Sequence, residues 1–508
     1  MSVLLSLDLG TEGARAGAFD IDGRCLGMVQ EGYPTHFPRS GWAEQDPRDW
    51  WSATVRATRG LMGQPEVLRH GEVAGISVST TASTVAILDE KGSPVRPAIL
   101  WMDSRASTEA ADTARHAATH PVLAYSGGAD AVEWLVPKAM WLARHEPESF
   151  ARAARIAEAV DYLTWRLTGA WVGSRMNATC KWNYDSVMGR LPIELYTDLG
   201  IAELVDKLPH DIRAVGEPAG ALSSSVAGEL GITGTPVVAT GGIDAHVSLL
   251  ACGEQKPGLV SIVGGTSTVF ITEVAEAIYS PAVWGPYPSA LRSDQWLIEG
   301  GQVSSGSVIN WVSQSMLSVR REELSALTSA ALDVRPDVHG LLVLDHFMGN
   351  RTPWRDPLLR GAVLGLTIGT TPAELYRATI EGVCFGARSV LASWIDAGIP
   401  VNRLVLSGGI QHNSLWSRVL ADVLQRPLEL VESDNLTLRA GAVQAAYAAG
   451  LFPDMASASQ AYAPATRLIE PADHFVDAYD EGFARYAAVT DLLAPHLHAL
   501  AGSPGVCS

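Results

Sequence analysis

Basic residues are in short supply: 37 Lys and Arg stand against 55 Asp and Glu, a formal net charge of −18. So acidic a chain argues against nucleic acid as a partner, because that contact needs Lys and Arg on the binding face. Anionic small molecules stay open, since one local pocket can oppose the overall field. Cysteine is scarce too. The five are Cys25, Cys180, Cys252, Cys384 and Cys507, and no two form a Cys-x-x-Cys. This argues against a disulfide framework or a thiolate zinc site and predicts a reduced, cytoplasmic protein. No run of about 18 apolar residues occurs, so no membrane-spanning helix is expected. The opening Met1–Asp8 stretch is apolar but brief and has no basic leader. It reads as a buried strand, not a signal peptide. A Gly-x-x-x-x-Gly-Lys-Ser/Thr loop is missing, which removes the P-loop enzymes.

What is present is a long α/β pattern. The chain has 508 residues, 47% of them hydrophobic, enough for two to four domains with real cores. Runs 3–9, 14–20 and 24–31 read as strands, with Asp22-Gly23 as a hairpin turn, so the chain opens on a meander. Further strands are expected at 75–79, 85–89, 236–240, 258–263, 268–272 and 341–344, and one before Ser407. Helices are expected over 103–118, 134–145, 148–168 and 414–424. Stretches 333–340 and 349–357 read as loops, and the tail after Ala501 as frayed. The strand, Gly-Thr turn, strand pattern at residues 3–20 recurs at 258–272. It suggests two similar domains that each offer one turn to a shared ligand.

Five constellations could carry chemistry. Asp8-Leu9-Gly10-Thr11, with Arg15 beyond it, ends the first strand. Gly10 allows close backbone approach to a phosphate, Thr11 adds a hydroxyl, and Asp8 makes sense there if magnesium intervenes through water. An acidic turn is the plainer reading. Gly264-Gly265-Thr266-Ser267 suits either a polyphosphate cradle or a tight hairpin. Ser407-Gly408-Gly409 could lie against a base or ribose, and Asn413 could contact adenine or cap the next helix. Asp244 follows Gly241-Gly242-Ile243 at a strand end. There it could deprotonate an acceptor hydroxyl or cap a helix. Trp42 with Glu44, Gln45 and Asp46, and Trp101 with Asp103 and Arg105, match the flat faces and polar rims that sugars favour, or plain packing.

Together these motifs resemble the FGGY carbohydrate kinases, the family of glycerol kinase, xylulokinase and ribulokinase. Gly361-Ala-Val-Leu-Gly365-Leu366, then seven residues, then Glu374-Leu-Tyr-Arg-Ala-Thr-Ile-Glu381 fits the family's long C-terminal signature throughout. Lys138-Ala-Met-Trp141-Leu142-Ala-Arg-His145 meets the N-terminal signature in part, with Leu135 and Ala139 departing from it. Trp42 to Pro47, Asp161 to Gly169 and Gly349 to Pro353 are also family-like, so the resemblance runs from about Val3 to about Leu451. It implies two ribonuclease H-like, actin-like ATPase domains, 1–253 on the sugar side and 254–495 on the nucleotide side, with ATP in the cleft between them. It further implies that Asp8 handles Mg2+, and that Gly10, Thr11, Arg15, Gly265 and Thr266 bind phosphates. Gly408, Gly409 and Asn413 would bind adenosine, Asp244 would be the base, and Trp101 would touch substrate. A homodimer is the assembly suggested by the family.

Two departures bear on specificity. Glu12 stands where relatives carry Ser or Thr beside the phosphates. Ser79-Thr80-Thr81-Ala82-Ser83 matches neither the Met-His-Gly of xylulokinases nor the Arg-Glu of glycerol kinases. The small hydroxyls leave room, so Thr81, Ser83, Trp101 and Asp103 are the candidate substrate contacts and a pentulose such as xylulose or ribulose the expected acceptor. A polyol kinase, a chaperone-like nucleotide switch and a sugar sensor are the alternatives. The sensor is disfavoured because Asp244 is kept, and the switch because it needs no tryptophan-lined sugar elements.

Overall fold

The computed structural model describes residues 2–336, 340–433 and 435–501. Two mixed sheets of seven strands each organise the chain. The first contains β1 Val3–Leu9, β2 Gly13–Phe19, β3 Cys25–Gly32, β4 Val73–Thr80, β5 Pro218–Ala221, β6 Val237–Ala239 and the short β7 Gly242–Ile243. Its order is β5-β6-β4-β1-β2-β3, with β7 pairing to β4 beyond β6. The second contains β8 Leu259–Gly264, β9 Thr268–Val274, β10 Trp284–Pro288, β11 Trp296–Gln302, β12 Arg403–Ser407, β13 Leu428–Val431 and β14 Thr466–Ile469. Its order is β10-β11-β9-β8-β12-β13-β14.

The two sheets repeat one plan. In each, a central strand pairs antiparallel with the strand that follows it and parallel with a later one: β1 with β2 and β4, β8 with β9 and β12. Parallel strands need a crossover segment and are covered on both faces, which is why β1, β4 and β8 are buried along nearly their whole length, small polar residues included. Side chains of β1 and β4 such as Leu5, Leu7, Ile76 and Val78 are fully or nearly fully buried. Each such burial is worth about 1.5–3 kcal/mol.

The helices follow local signals. In α1, Pro47–Met62, Asp46 caps by accepting from the Arg48 amide at 2.9 Å, and Pro47 supplies the first turn. Helix α2, Leu135–His145, carries the N-terminal signature and buries its first eight residues. Helix α3, Asp244–Val247, is a single turn, and α4, Pro372–Asp396, starts on a capping box between Thr371 and Glu374. Helix α5, Ser414–Leu424, has the bounds expected from sequence. Helix α6, Leu436–Ala448, lies between β13 and β14 of the second sheet in the chain yet packs on β1 and β4 of the first.

Two sequence expectations need correction. The helix expected over 148–168 is two helices, Pro147–Arg152 and Ala159–Thr168, separated by a strand, Arg155–Glu158. That strand pairs antiparallel with Val85–Leu88, so a long-range partner overrides local helix propensity. The helix expected over 103–118 shrinks to Ser107–Ala114. The tail after Ala501 lies outside the described residues, as does the middle of the expected 333–340 loop.

Helix α6 lies close against its sheet because glycine permits it. A Cβ on Gly75 would stand 2.5 Å from the Ala445 carbonyl oxygen. One on Gly441 would stand 1.9 Å from Ser6 Oγ. A backbone carbonyl cannot rotate aside as a side chain can. Gly75→Ala should therefore cost roughly 1–3 kcal/mol of overpacking strain, read as a lower urea midpoint at unchanged m-value.

Candidate active site

Register brings two carboxylates to one end of the first sheet. Asp8 on β1 and Gly242 on β7 both pair with Ser79 of β4, on its opposite sides. Asp244 begins the helical turn just after β7. Asp8 is 3% exposed, and its Oδ2 accepts from Arg15 Nη1 at 2.8 Å across the β1–β2 pair. Its Oδ1 has no hydrogen-bond partner among the described residues. Burial pushes the Asp8 carboxyl up, Arg15 pulls against this, and the net direction is upward. Asp244 is pushed up to about 7, first by burial and then by the charge of Asp8.

The first Gly-Thr turn is held from three sides. The Gly10 amide donates to the Gly13 carbonyl at 3.0 Å, and the Tyr33 hydroxyl donates to the Gly10 carbonyl. Gln45 Nε2 donates to the Thr11 carbonyl at 2.8 Å, while Gln45 Oε1 accepts from Trp50 Nε1 at 2.8 Å. Trp101 Nε1 donates to Thr11 Oγ1 at 3.0 Å. The indole N–H of Trp101 is thus already used within the protein, so its face rather than its donor is left for a ligand. Glu12 turns outward and is exposed, while its carbonyl accepts from the Tyr33 amide at 3.3 Å.

The other two Gly-rich turns meet through strand pairing. Val263 on β8 pairs in parallel with Ser407 on β12, which brings the ends of these strands together. Gly408, at φ +88°, has no room for a side chain, because a Cβ would stand 2.5 Å from the Gly264 carbonyl oxygen. The Gly265 and Thr266 carbonyls accept from the amides of Gly306 and Ser305, each at 3.0 Å. Sequence reading overlooked this clasp, although the small run Ser304-Ser305-Gly306-Ser307 after a strand was its signal. Asn413 caps α5: its Oδ1 accepts from the Trp416 amide at 3.1 Å, and its Nδ2 donates to Tyr376 Oη at 3.0 Å.

On the expected sugar side, Thr81 Oγ1 lies 2.8 Å from Thr84 Oγ1, and Ser83 sits buried at φ +55°. Asp103 is only 1% exposed. Its oxygens accept from the Ala43 amide at 2.6 Å and from Arg105 Nε at 2.8 Å and Nη2 at 2.7 Å. It braces the 41–46 loop, with both carboxylate oxygens engaged by neighbouring protein groups. Trp42 is a packing residue, edge-on to Trp141 at 5.3 Å with the Arg105 guanidinium 3.7 Å above its ring.

A buried polar network joins the two lobes beside α3. Glu299 on β11 lies 3.2 Å from His246 Nε2 and 3.5 Å from Lys181 Nζ. It also lies 3.7 Å from Arg351, which in turn reaches Glu133 at 3.1 Å. Burial opposes ionisation of Glu299, yet Lys181, His246 and Arg351 outweigh it and hold the carboxyl well below its usual range. Burial pushes His246 down.

Two similar sheets, each with a Gly-rich turn at its strand ends and the first with two carboxylates there, follow the plan of the actin-like ATPase fold. Comparison with known proteins agrees. Residues 3–251 match the N-terminal domain of the FGGY family of carbohydrate kinases, and residues 260–449 its C-terminal domain. The chain belongs to the FGGY family of carbohydrate kinases, and it is a carbohydrate kinase. It is 30% identical to a ribulokinase of Mycolicibacterium smegmatis over 92% of this chain and 87% of the relative. It is 25% identical to a xylulose kinase of Staphylococcus xylosus over 97% of this chain and 100% of the relative. A crystal structure described as a "xyloylose kinase" from Brucella ovis superposes with a TM-score of 0.86 at 29% identity, covering 98% of this chain and 100% of that one. No helix among the described residues is long and apolar enough to cross a membrane.

The Glu299 network contributes stability at neutral pH that is lost only in acid, below the usual Glu range, because its folded value is depressed. Glu299→Gln should leave Lys181 buried without a full counter-charge and cost roughly 3–5 kcal/mol, measured by chemical denaturation at pH 7.

Proposed function

We propose that this kinase transfers the γ-phosphoryl group of ATP to a hydroxyl of a pentulose such as xylulose or ribulose, with Asp244 as general base. The observation that carries the base assignment is the position of Asp244. It follows β7 at the mouth of the sheet, beside Asp8 and the Gly10-Thr11 turn, with its carboxyl raised to about 7. A base poised near neutrality can take a hydroxyl proton and still be ionised at working pH. Asp244 takes that proton, the freed oxygen attacks the γ-phosphorus in line, and the bond to the β,γ-bridging oxygen breaks to release ADP.

The other residues position and exclude water. The backbone N–H groups of Thr11 and Thr266 face the phosphates, with Arg15 at the first turn, while those of Gly10 and Gly265 close their own turns onto Gly13 and Ser267. Gly408 and Gly409 form the adenosine wall, and Asn413 holds the start of α5 beside it. Asp8 fits a magnesium site: it is buried, its charge costs desolvation, and its Oδ1 lacks a partner among the described residues. Magnesium bound there through water would neutralise phosphate charge. Support for the pentulose comes from the ribulokinase and xylulose kinase relatives and from the small side chains at Thr81 and Ser83.

Asp244→Asn should lower kcat by roughly a hundredfold to ten-thousandfold while MgATP binding, followed by calorimetry, stays within about twofold. Near-native turnover would rule the base out. In the wild type, kcat/KM for the sugar should fall about tenfold per pH unit as pH drops below about 7, because protonated Asp244 cannot act as base. ADP release should be stimulated strongly by a pentulose and weakly by glycerol, erythritol or ribitol. The reverse order would give the site to a polyol.

A further inference from the structure

Lys138, in the partly matched N-terminal signature, has no part in the chemistry above, yet its surroundings are unusual. It is 0% exposed on α2. Its amino group donates to the Ser83 carbonyl and, at 2.7 Å, to the Leu100 carbonyl. Burial pushes it down to about 7 against the pull of Glu158 and Asp103, and either protonation state keeps enough N–H donors for both carbonyls. These acceptors belong to two separate loops: one carries Thr81 and Ser83, the other leads directly into Trp101. Glu158 lies on the strand paired with Val85–Leu88. Its carboxyl is pulled down by Lys138 and by the Ser83 backbone N–H, against the larger upward push of burial. The Ser83 carbonyl is therefore held by Lys138, with the Glu158 carboxyl close to both Lys138 and the Ser83 backbone. Ser83 also holds a left-handed φ of +55°, a conformation that needs support from its surroundings.

A buried ammonium is costly unless its donors are satisfied and a counter-charge is close. An apolar side chain on this helix face would avoid that cost if packing were the only demand. The carbonyls instead make use of what lysine offers, a compact point donor that can serve two acceptors at once.

We propose that Lys138 is a positioning residue for the sugar: it ties the Thr81–Ser83 loop and the Trp101 loop at one fixed separation and so sets the width of the acceptor site. The inference rests on the reading of these loops as the sugar side. Without the tie, the Ser83 and Leu100 carbonyls lose a charged donor and the loops separate. The first phosphate turn would feel this through the Trp101 bond to Thr11 Oγ1 alone, and keeps its backbone supports from Gln45 and Tyr33. The effect should therefore fall on the sugar and not on the nucleotide.

The test compares wild type, Lys138→Met, Lys138→Gln and Lys207→Met in sugar-dependent ADP release, with KM measured separately for sugar and MgATP. Lys207 is a second buried lysine of the same lobe, donating to the Ala153 carbonyl at 2.8 Å away from these loops. Lys138→Met is expected to raise the sugar KM roughly tenfold to a hundredfold, as for loss of hydrogen bonds from a charged donor, with the MgATP KM within about twofold. Lys138→Gln, able to reach one carbonyl, should fall between and serves if the Met variant does not fold. Lys207→Met should lower the melting temperature without changing the sugar KM. A Lys138 variant with wild-type sugar KM overturns the proposal, as does one whose two KM values rise together in step with lost thermal stability. A wild type that no sugar stimulates overturns the pentulose-kinase reading itself and this proposal with it.

Discussion

The parallel pairing of Val73–Thr80 with two neighbours is the constraint on which the site depends. At its far end Ser79 is matched by Asp8 on one side and Gly242 on the other. Strand register is quantised: a slip by one residue would turn side chains to the opposite face. Asp8 and the start of the Asp244 turn are thus set by backbone hydrogen bonds, not by any attraction between the two groups. Their charges in fact repel, and Asp8 raises the Asp244 carboxyl. The fold holds together what electrostatics would separate. A proton, a cation or an acceptor hydroxyl relieves that opposition.

The second sheet repeats the plan with a different result. It ends on glycines and hydroxyls, with Gly408 pressed against Gly264 and Gly306 clasped to Gly265. One lobe therefore brings charge and the other bare backbone, a division suited to a sugar facing a polyphosphate. The two are joined by residues on both sides of the sequence. Helix α6 returns to the first sheet, where Arg439 donates to the Gly23 carbonyl at 2.7 Å. The Glu299 cluster ties β11 to His246, two residues beyond Asp244. Any change in lobe separation must be accommodated by these buried contacts.

The most specific sequence pattern has a mainly structural role. Within the C-terminal signature, Glu374 closes a capping box and Arg377 Nε pairs with Glu381 at 2.8 Å. Gly365 lies where a Cβ would meet the Gly340 carbonyl oxygen at 2.5 Å. Of these residues, Tyr376 reaches the start of α5, through Asn413. Asp103 and Trp42 teach a related lesson. Both looked like sugar contacts from their composition, and both are occupied with neighbouring protein groups.

Sequence by itself determined the elements whose causes are local: the opening meander with its first turn at Gly10-Thr11, the echo of that turn at Gly265-Thr266, and the capped helix Ser414–Leu424. Apolar runs, glycine turns and caps act over a few residues, so they can be read from order alone. It also brought out Asp8 and Asp244 as carboxylates at strand ends. Only the tertiary structure decided what those residues meet. The Arg155–Glu158 strand, the Trp101–Thr11 bond, the Lys138 tie and the return of Leu436–Ala448 all join segments distant in sequence. Their partners are chosen by burial and register, which a linear pattern does not encode.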